Sequence, residues 1–260
     1  MCPIVWERRY KPLRDYYPNI LKHESYYKYI RHHYALRVMH LIMNVKKNSE
    51  ILDVGCGNGS ESILCGILGG KVLGIDISKE RIKIAKKRVG CYENKLNRKI
   101  DVEFQLENVF KHFGNYDLIW ANESIQHIAP LTKFLKISYK NLRMSGKIII
   151  ADQNRLNPYA YLLSKKAQKK NRGLYITKKE PNTGEVIHYA VERIFTILEI
   201  KRILYKIFKN VDIYPFTYFP FTIFKKFNNF CIEFEKNYLR KVPILKLFSV
   251  GYVIISTKIE

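Results

Sequence analysis

"ILDVGCGNGS", residues 51–60, places three glycines and one acid within ten positions, directly after the polar stretch NVKKNSE. Ile51–Val54 is a short apolar run, and Gly55, Gly57 and Gly59 follow it. A backbone this bare between a first strand and a first helix lets a ligand approach closely, at the ligand-binding end of a parallel sheet. A dinucleotide site wants GxGxxG, with the third glycine packing helix against strand. Here Ser occupies position 60 and the spacing is GxGxG. Asp53, two residues ahead of Gly55, adds a negative charge that would repel a pyrophosphate and attract a cationic amino group. The stretch therefore reads as a site for an amino-acid-bearing nucleotide rather than NAD.

Outward from this loop, short apolar runs alternate with amphipathic stretches. Ile51–Val54, Lys71–Ile75, Val102–Leu106, Tyr116–Ala121 and Lys147–Ala151 read as strands covered on both faces. Ser78 is a hydroxyl N-cap ahead of KERIKIAKKRV. Leu131, Phe134, Leu135 and Leu142 mark one face of a helix expected to stop at Gly146 in a left-handed cap. Thr196 and Glu199 form a capping-box pattern before the stripe Ile200, Ile203, Leu204, Ile207, Phe208. Alternation sustained this long predicts an α/β fold with a doubly wound, mostly parallel sheet.

Three parts stand outside the alternation. Residues 1–45 form a helical N-terminal segment ahead of a domain spanning 46–260. Residues 152–190 are polar and basic, and residues 215–249 are crowded with aromatics and broken by prolines. Both read as insertions, which near strand C-termini are where specificity usually sits.

Asp76 ends VLGID, 21 residues beyond Gly55, where a carboxylate can accept both ribose hydroxyls. Together these residues resemble the class I S-adenosylmethionine-dependent methyltransferases, a Rossmann-like family. "LDVGCGNG" looks like the family's first motif and "GIDIS" its second; "FQLENVF" is similar to the segment after the third strand. "YDLIWANESIQHI" resembles the fourth strand and its loop, "LRMSGKIIIAD" the turn and fifth strand, and "GYVIISTK" the antiparallel last strand. The match covers residues 45–152 and 191–258 and implies a seven-stranded sheet. It implies S-adenosyl-L-methionine as cofactor, with Gly55, Gly57 and Gly59 lining its methionine part and Asp53 orienting its amino group. Asp76 would hold the ribose, with Ile77 against the adenine. Glu107, in place of the usual Asp, would reach the adenine amino group, Asn108 would offer its backbone amide, and Asn122 would line the methionine end.

For the methyl acceptor the candidates are His127 and Glu123, which follow the fourth strand at the ligand end. His127 suits a general base titrating near neutral pH. It suits equally a histidine bonded to backbone that holds the loop's shape. His188 and Tyr189 are placed to close over an acceptor or to sit in a solvated loop, while His32 and His33 lack spacing to a partner. The segment ANES departs from the amino-methylating tetrad, which weighs against adenine or glutamine as acceptor.

The net charge of +23 points to anionic partners, yet it is carried by 32 Lys against 14 Arg, with only 8 Ala, the bias an AT-rich genome imposes. Arg is the better reader of phosphates and bases, so nucleic acid is the weaker partner reading. The lysines at 165, 166, 169, 170, 178 and 179 belong to a solvated face or grip an anionic acceptor. The rings between Tyr214 and Phe234 are left as core, an apolar acceptor pocket, a dimer contact or a peripheral membrane surface. The reading is O-methylation of a small-molecule, glycan- or lipid-linked acceptor, with an RNA methyltransferase or a non-catalytic cofactor-binding subunit as alternatives. The five cysteines (Cys2, Cys56, Cys65, Cys91, Cys231) show no zinc spacing, so no metal is expected; with no signal sequence they suggest reduced thiols in the cytoplasm.

Overall fold

A computed structural model of the chain describes residues 28–179, 184, 186–219 and 227–259. Its centre is Glu50–Val54 (β1), flanked by Lys71–Asp76 (β2) on one side and Tyr116–Asn122 (β4) on the other, both parallel to it. Val102–Leu106 (β3) closes the β2 side. Beyond β4 lie Leu142–Gln153 (β5), then Gly251–Thr257 (β9) antiparallel to it, then Asp212–Phe216 (β8) at the edge. The seven-stranded order is β3-β2-β1-β4-β5-β9-β8. Its direction reverses between β1 and β4, the switch point where open α/β sheets bind ligands. Pro215 lies in β8, an edge strand, where a missing amide donor is tolerated.

The apolar runs that read as strands lack polar alternation because both faces are covered. Ile51, Leu118, Trp120, Ile149 and Val253 pack on one face with Leu41 of Lys28–Ile42 (α1) and Cys65 of Ser60–Ile67 (α2). Leu52, Ile119, Ile148, Ile150 and Tyr252 pack on the other with Phe134 of Leu131–Asn141 (α4) and Ile200 of Ile197–Tyr205 (α6). Lys79–Leu96 (α3) joins α2 over β3 through Ile82, Ala85, Ile63 and Phe104. Both expected caps form: Ser78 Oγ accepts from the Arg81 amide, and Thr196 and Glu199 make the reciprocal capping box.

Two expectations are corrected. The helix expected to run to Gly146 ends at Asn141, and Leu142 already pairs with Tyr116 in the sheet. Leu142 fits the helical stripe and the strand equally, so its periodicity could not separate them. The left-handed residue there is Ser145 (φ 62°); Gly146 is needed because a Cβ would lie 2.8 Å from the Arg143 carbonyl and 3.0 Å from that of Tyr116, at a bulge. Cys91 is disulfide-bonded, against the expectation of reduced thiols, whereas Cys56, Cys65 and Cys231 are buried free thiols.

The 152–190 stretch carries Pro158–Lys170 (α5) and an antiparallel hairpin, Tyr175–Lys179 (β6) with Val186–Ala190 (β7). The aromatic stretch carries Asn228–Phe234 (α7), which packs against α1, and then the turn Pro243–Phe248. Phe230 stacks on Phe234 at 5.5 Å, and Phe234 meets Tyr238 at 5.1 Å with the rings tilted by 32°. Phe221 and Phe224, like residues 1–27, lie outside the described residues. Among the described residues no helix is long and apolar enough to cross a membrane.

The glycines of the first loop divide by physical role. A Cβ on Gly59 (φ 73°) would sit 2.3 Å from the Phe104 ring and 3.1 Å from Ala85 Cβ, whereas on Gly57 (φ 55°) the nearest atom is 3.8 Å away. Gly59→Ala should therefore cost about 2–4 kcal/mol, combining overpacking with left-handed strain. Gly57→Ala should cost about 1–2 kcal/mol, strain alone. Denaturant unfolding of the two variants checks this, and equal losses would remove the packing account.

Candidate active site

A cavity of about 470 Å³ lies over the switch point. Its floor is Val54, Gly55, Ile75 and Asp76 at the ends of β1 and β2. One wall is Glu107, Asn108 and Phe110 after β3; the opposite wall is Glu123, Ser124 and His127 after β4, with Tyr189 of β7 stacked on His127. Ile77, Arg81 and Lys133 also line the cavity. Gly55 (φ 69°) allows the loops after β1 and β4 to meet, since a Cβ there would fall 2.8 Å from Ser124 Cβ.

Asp76 is pre-set. Its Oδ2 accepts from the Gly57 amide at 3.0 Å and its Oδ1 from the Ser78 amide at 2.8 Å, so the loops after β1 and β2 aim one carboxylate at the cavity. Glu107 lines the wall and binds His112 Nδ1 at 2.8 Å, whose Nε2 meets the Tyr116 hydroxyl at 2.7 Å. The Asn108 side chain caps the following turn by accepting from the Phe110 amide.

Asp53 lies behind the wall, buried, accepting from Ser62 Oγ at 2.5 Å. Burial, reinforced by Glu61 and opposed by the Ser62 bond, pushes its carboxyl up to about 8. It is thus neutral near pH 7 in the unliganded chain. Gly57, Gly59 and Asn122 also stand outside the lining; Asn122 Nδ2 donates to Glu61 Oε1 at 3.3 Å.

The loop after β4 is held from two sides. Glu123 (φ 48°) donates its amide to the Ala151 carbonyl and pairs with Arg37 at 2.9 Å. Arg37, from α1, also meets His33 Nε2 at 2.6 Å and lies 5.4 Å from the Phe216 ring centre. A guanidinium only donates, so His33 Nε2 accepts and its Nδ1 donates to Thr217 Oγ1 at 2.6 Å. Burial, with Arg37 beside it, holds the His33 imidazole well below its ordinary range, in keeping with a neutral ring. The N-terminal helix is thereby tied to the ligand end of the sheet.

On the other side, His127 Nδ1 lies 3.0 Å from the Ala190 carbonyl, which can only accept. The neutral ring therefore carries its proton on Nδ1 and its lone pair on Nε2. Nε2 is 3.8 Å from Glu192 Oε1, and the ring stacks on Tyr189 at 4.9 Å and 10°. Burial and then Glu123 raise the Glu192 carboxyl. The Arg193 amide donates to the Gln126 carbonyl at 3.0 Å, and Ile128 bridges to Tyr189. The His188 side chain lies outside the described residues.

Of the residues singled out in the sequence, the fold brings Gly55, Asp76, Ile77, Glu107, Asn108, Glu123, His127 and Tyr189 to one cavity. Arg37, Arg81, Ser124 and Glu192 were not singled out. Arg81 reads as one more cation of an amphipathic helix, and Arg37 and Glu192 join the site only through tertiary packing.

Residues 45–211, more than half of the chain, match the family model described as a methyltransferase domain. The chain belongs to that methyltransferase family. Over 118 residues this methyltransferase is 36% identical to the ubiquinone biosynthesis O-methyltransferase of Pelagibacter ubique (strain HTCC1062), covering 45% of this chain and 48% of that one. Over 153 residues it is 27% identical to phosphoethanolamine N-methyltransferase 3 of Arabidopsis thaliana, covering 57% and 28%. The matched stretch thus spans half or less of these curated relatives. Among solved structures, a SAM-dependent methyltransferase from Methanosarcina mazei shares the fold at TM-score 0.55 and 18% identity, covering 85% of this chain and 97% of that one. Phosphoethanolamine N-methyltransferase 2 of Haemonchus contortus, in complex with S-adenosyl-L-methionine, shares it at TM-score 0.57 and 17% identity, covering 86% and 52%.

S-adenosylmethionine is the cofactor of this family, and the methyltransferase's cavity fits it. The lining offers a carboxylate for the ribose diol in Asp76 and apolar surface for a base in Ile77, Val109 and Phe110. Ser124 Oγ is buried against the cavity without a hydrogen-bond partner, a polar atom placed for a ligand.

Proposed function

We propose that this chain transfers a methyl group from S-adenosylmethionine to a hydroxyl of a small-molecule, glycan- or lipid-linked acceptor, with His127 as general base. The observation that carries the reading is the Ala190 carbonyl on His127 Nδ1, which sets the Nε2 lone pair of a ring lining the cavity. Relatives named for O-methylation in ubiquinone biosynthesis and N-methylation of phosphoethanolamine support an acceptor of this size.

Asp76 would hold the ribose, Ile77 the adenine face, and Glu107 with Asn108 the adenine edge; Asp53 would orient the amino group from behind Gly55. The bound cofactor supplies a methyl carbon on a sulfonium, activated for in-line displacement. His127 Nε2 takes the acceptor's hydroxyl proton as the oxygen attacks, and Glu192 beside it balances the imidazolium that forms. Tyr189, stacked on the imidazole, excludes water from it. Calorimetric binding of S-adenosylmethionine and S-adenosylhomocysteine, with NAD as control, tests the first half of this reading. Labelled-methyl transfer to phenols, phosphoethanolamine, lipid-linked glycans and RNA tests the second, and transfer to RNA alone would replace it.

The neutral Asp53 adds a signature. Its raised carboxyl stabilises the unliganded fold below the ordinary carboxylate range, about 3.9, and that contribution is lost as pH rises through about 8. A cationic amino group arriving nearby favours the ionised form, so binding at pH 7 should release up to one proton. Calorimetric enthalpy should then depend on the buffer's ionisation enthalpy at pH 7, and cease to do so in Asp53→Asn. Buffer-independent heats in the parent chain would remove Asp53 from the amino-group role.

A further inference from the structure

We propose that the face built by α5 and the Pro243–Phe248 turn docks on an anionic lipid bilayer. The inner side of α5 is buried through Ala160 and Ser164, and Ser164 Oγ donates to the Glu192 carbonyl at 2.8 Å. Its outer side therefore presents Tyr161, Leu162, Lys165, Lys166 and Lys169 together, at helical spacing. Leu162 is 65% exposed, and the Lys165 ammonium lies over the Tyr161 ring at 5.5 Å. Leu162 and the Tyr161 ring thus offer apolar surface directly beside three lysine ammonium groups.

Apolar side chains are exposed off the helix as well. Asn157, the N-cap of α5, donates to the Phe248 carbonyl at 2.9 Å, so the Pro243–Phe248 turn abuts the start of the helix. That turn exposes Ile244 (60%) and Phe248 (46%). Exposed apolar side chains thus stand both on the outer side of α5, among its lysines, and on the turn that abuts the start of that helix.

The chemistry of this face selects among occupants. A second copy related by a two-fold axis would set these lysines against themselves. RNA would use the cations and aromatic rings but has no use for bare Leu162 and Ile244. An anionic bilayer surface takes both: the apolar side chains enter the acyl boundary while lysine stems extend to the headgroups. The face also lies at the ligand end of the sheet, because α5 follows the end of β5 and the turn precedes β9, which runs antiparallel to it. A bilayer-borne acceptor would reach His127 from that side, a consequence that rests on the methyltransferase reading; docking itself does not.

Vesicle sedimentation of the whole chain tests this, using phosphatidylcholine with and without phosphatidylglycerol, at low and high salt. Sedimentation is expected with the anionic vesicles only, and weakened by salt. Leu162→Asp should lower partitioning about tenfold or more. Lys165→Glu with Lys166→Glu should lower it about tenfold as well. Unchanged calorimetric affinity for S-adenosylmethionine shows that each variant is folded, and both sites are exposed. The proposal fails if the parent chain stays in solution with anionic vesicles at low salt. It fails equally if both variants sediment like the parent, if Leu162→Asp instead converts a dimer to a monomer, or if the charge variant loses only RNA binding. Failure here with cofactor affinity intact leaves the enzymatic reading standing, and loss of cofactor binding in the parent chain would not touch the vesicle result.

Discussion

Asp76→Ala is expected to weaken S-adenosylmethionine binding by at least about a hundredfold, measured calorimetrically. The carboxylate spends one lone pair on the Gly57 amide and one on the Ser78 amide, at 3.0 and 2.8 Å. An ionised carboxylate offers about four acceptor positions, so two remain for a ribose diol without disturbing the loops. Hydrogen bonds to a charged group contribute about 1.5–3 kcal/mol each, and two such bonds correspond to a loss of a hundredfold or more. Alanine also leaves two amides without their acceptor, loosening the glycine loop. Asp76→Asn keeps one acceptor oxygen and should fall between the two. Affinity of the alanine variant within threefold of the parent would show that the ligand sits elsewhere.

His127→Asn is expected to lower kcat about 10²- to 10⁴-fold while leaving cofactor affinity within about twofold, the span general-base removal usually produces. Asparagine separates the two roles of the ring. Its Nδ2 stands close to where His127 Nδ1 stands, so it retains the donor that meets the Ala190 carbonyl at 3.0 Å. It offers no basic nitrogen at the position of Nε2. If the histidine merely holds the loop, the asparagine variant turns over nearly as the parent does, and His127→Ala is the damaging one. If it is the base, both variants lose turnover and only the alanine variant loses loop stability. Glu192→Gln, 3.8 Å from Nε2, should give a smaller drop in kcat with the cofactor still bound.

The legible part of this molecule was the part whose signals are local. The apolar runs were readable as strands because burial on both faces removes polar residues from them. Gly55 and Asp76 were readable because a close approach and a strand-end carboxylate both constrain residue type at fixed spacing. Leu142–Gly146 was misread because a strand that begins one residue after a helix continues the same apolar stripe, and the tie that starts it is pairing with Tyr116, far away in sequence. Asp53 was read as a charge at the mouth. Its environment, walled in with Glu61 beside it and Ser62 donating to it, makes it a neutral acid near pH 7. Arg37 and Glu192 carry no local signal at all. Each gains its place because a segment remote in sequence folds back over β4: α1 in one case, and the turn after β7 in the other.

The Ala190 carbonyl that aims His127, and the Ser164 and Gln168 side chains that hold the neighbouring Glu192 carbonyl, all belong to the segment inserted between β5 and α6. On the proposed reading, the residues that would hold the nucleotide belong to the sheet and its loops, while the imidazole that would accept the proton is steered by the inserted segment. Grafting another relative's insertion onto this sheet would change in a single step which molecule is admitted and where the imidazole points. A chimera that keeps only the grafted binding surface, without the residue that stands at position 190, would admit its acceptor and leave the hydroxyl unattended.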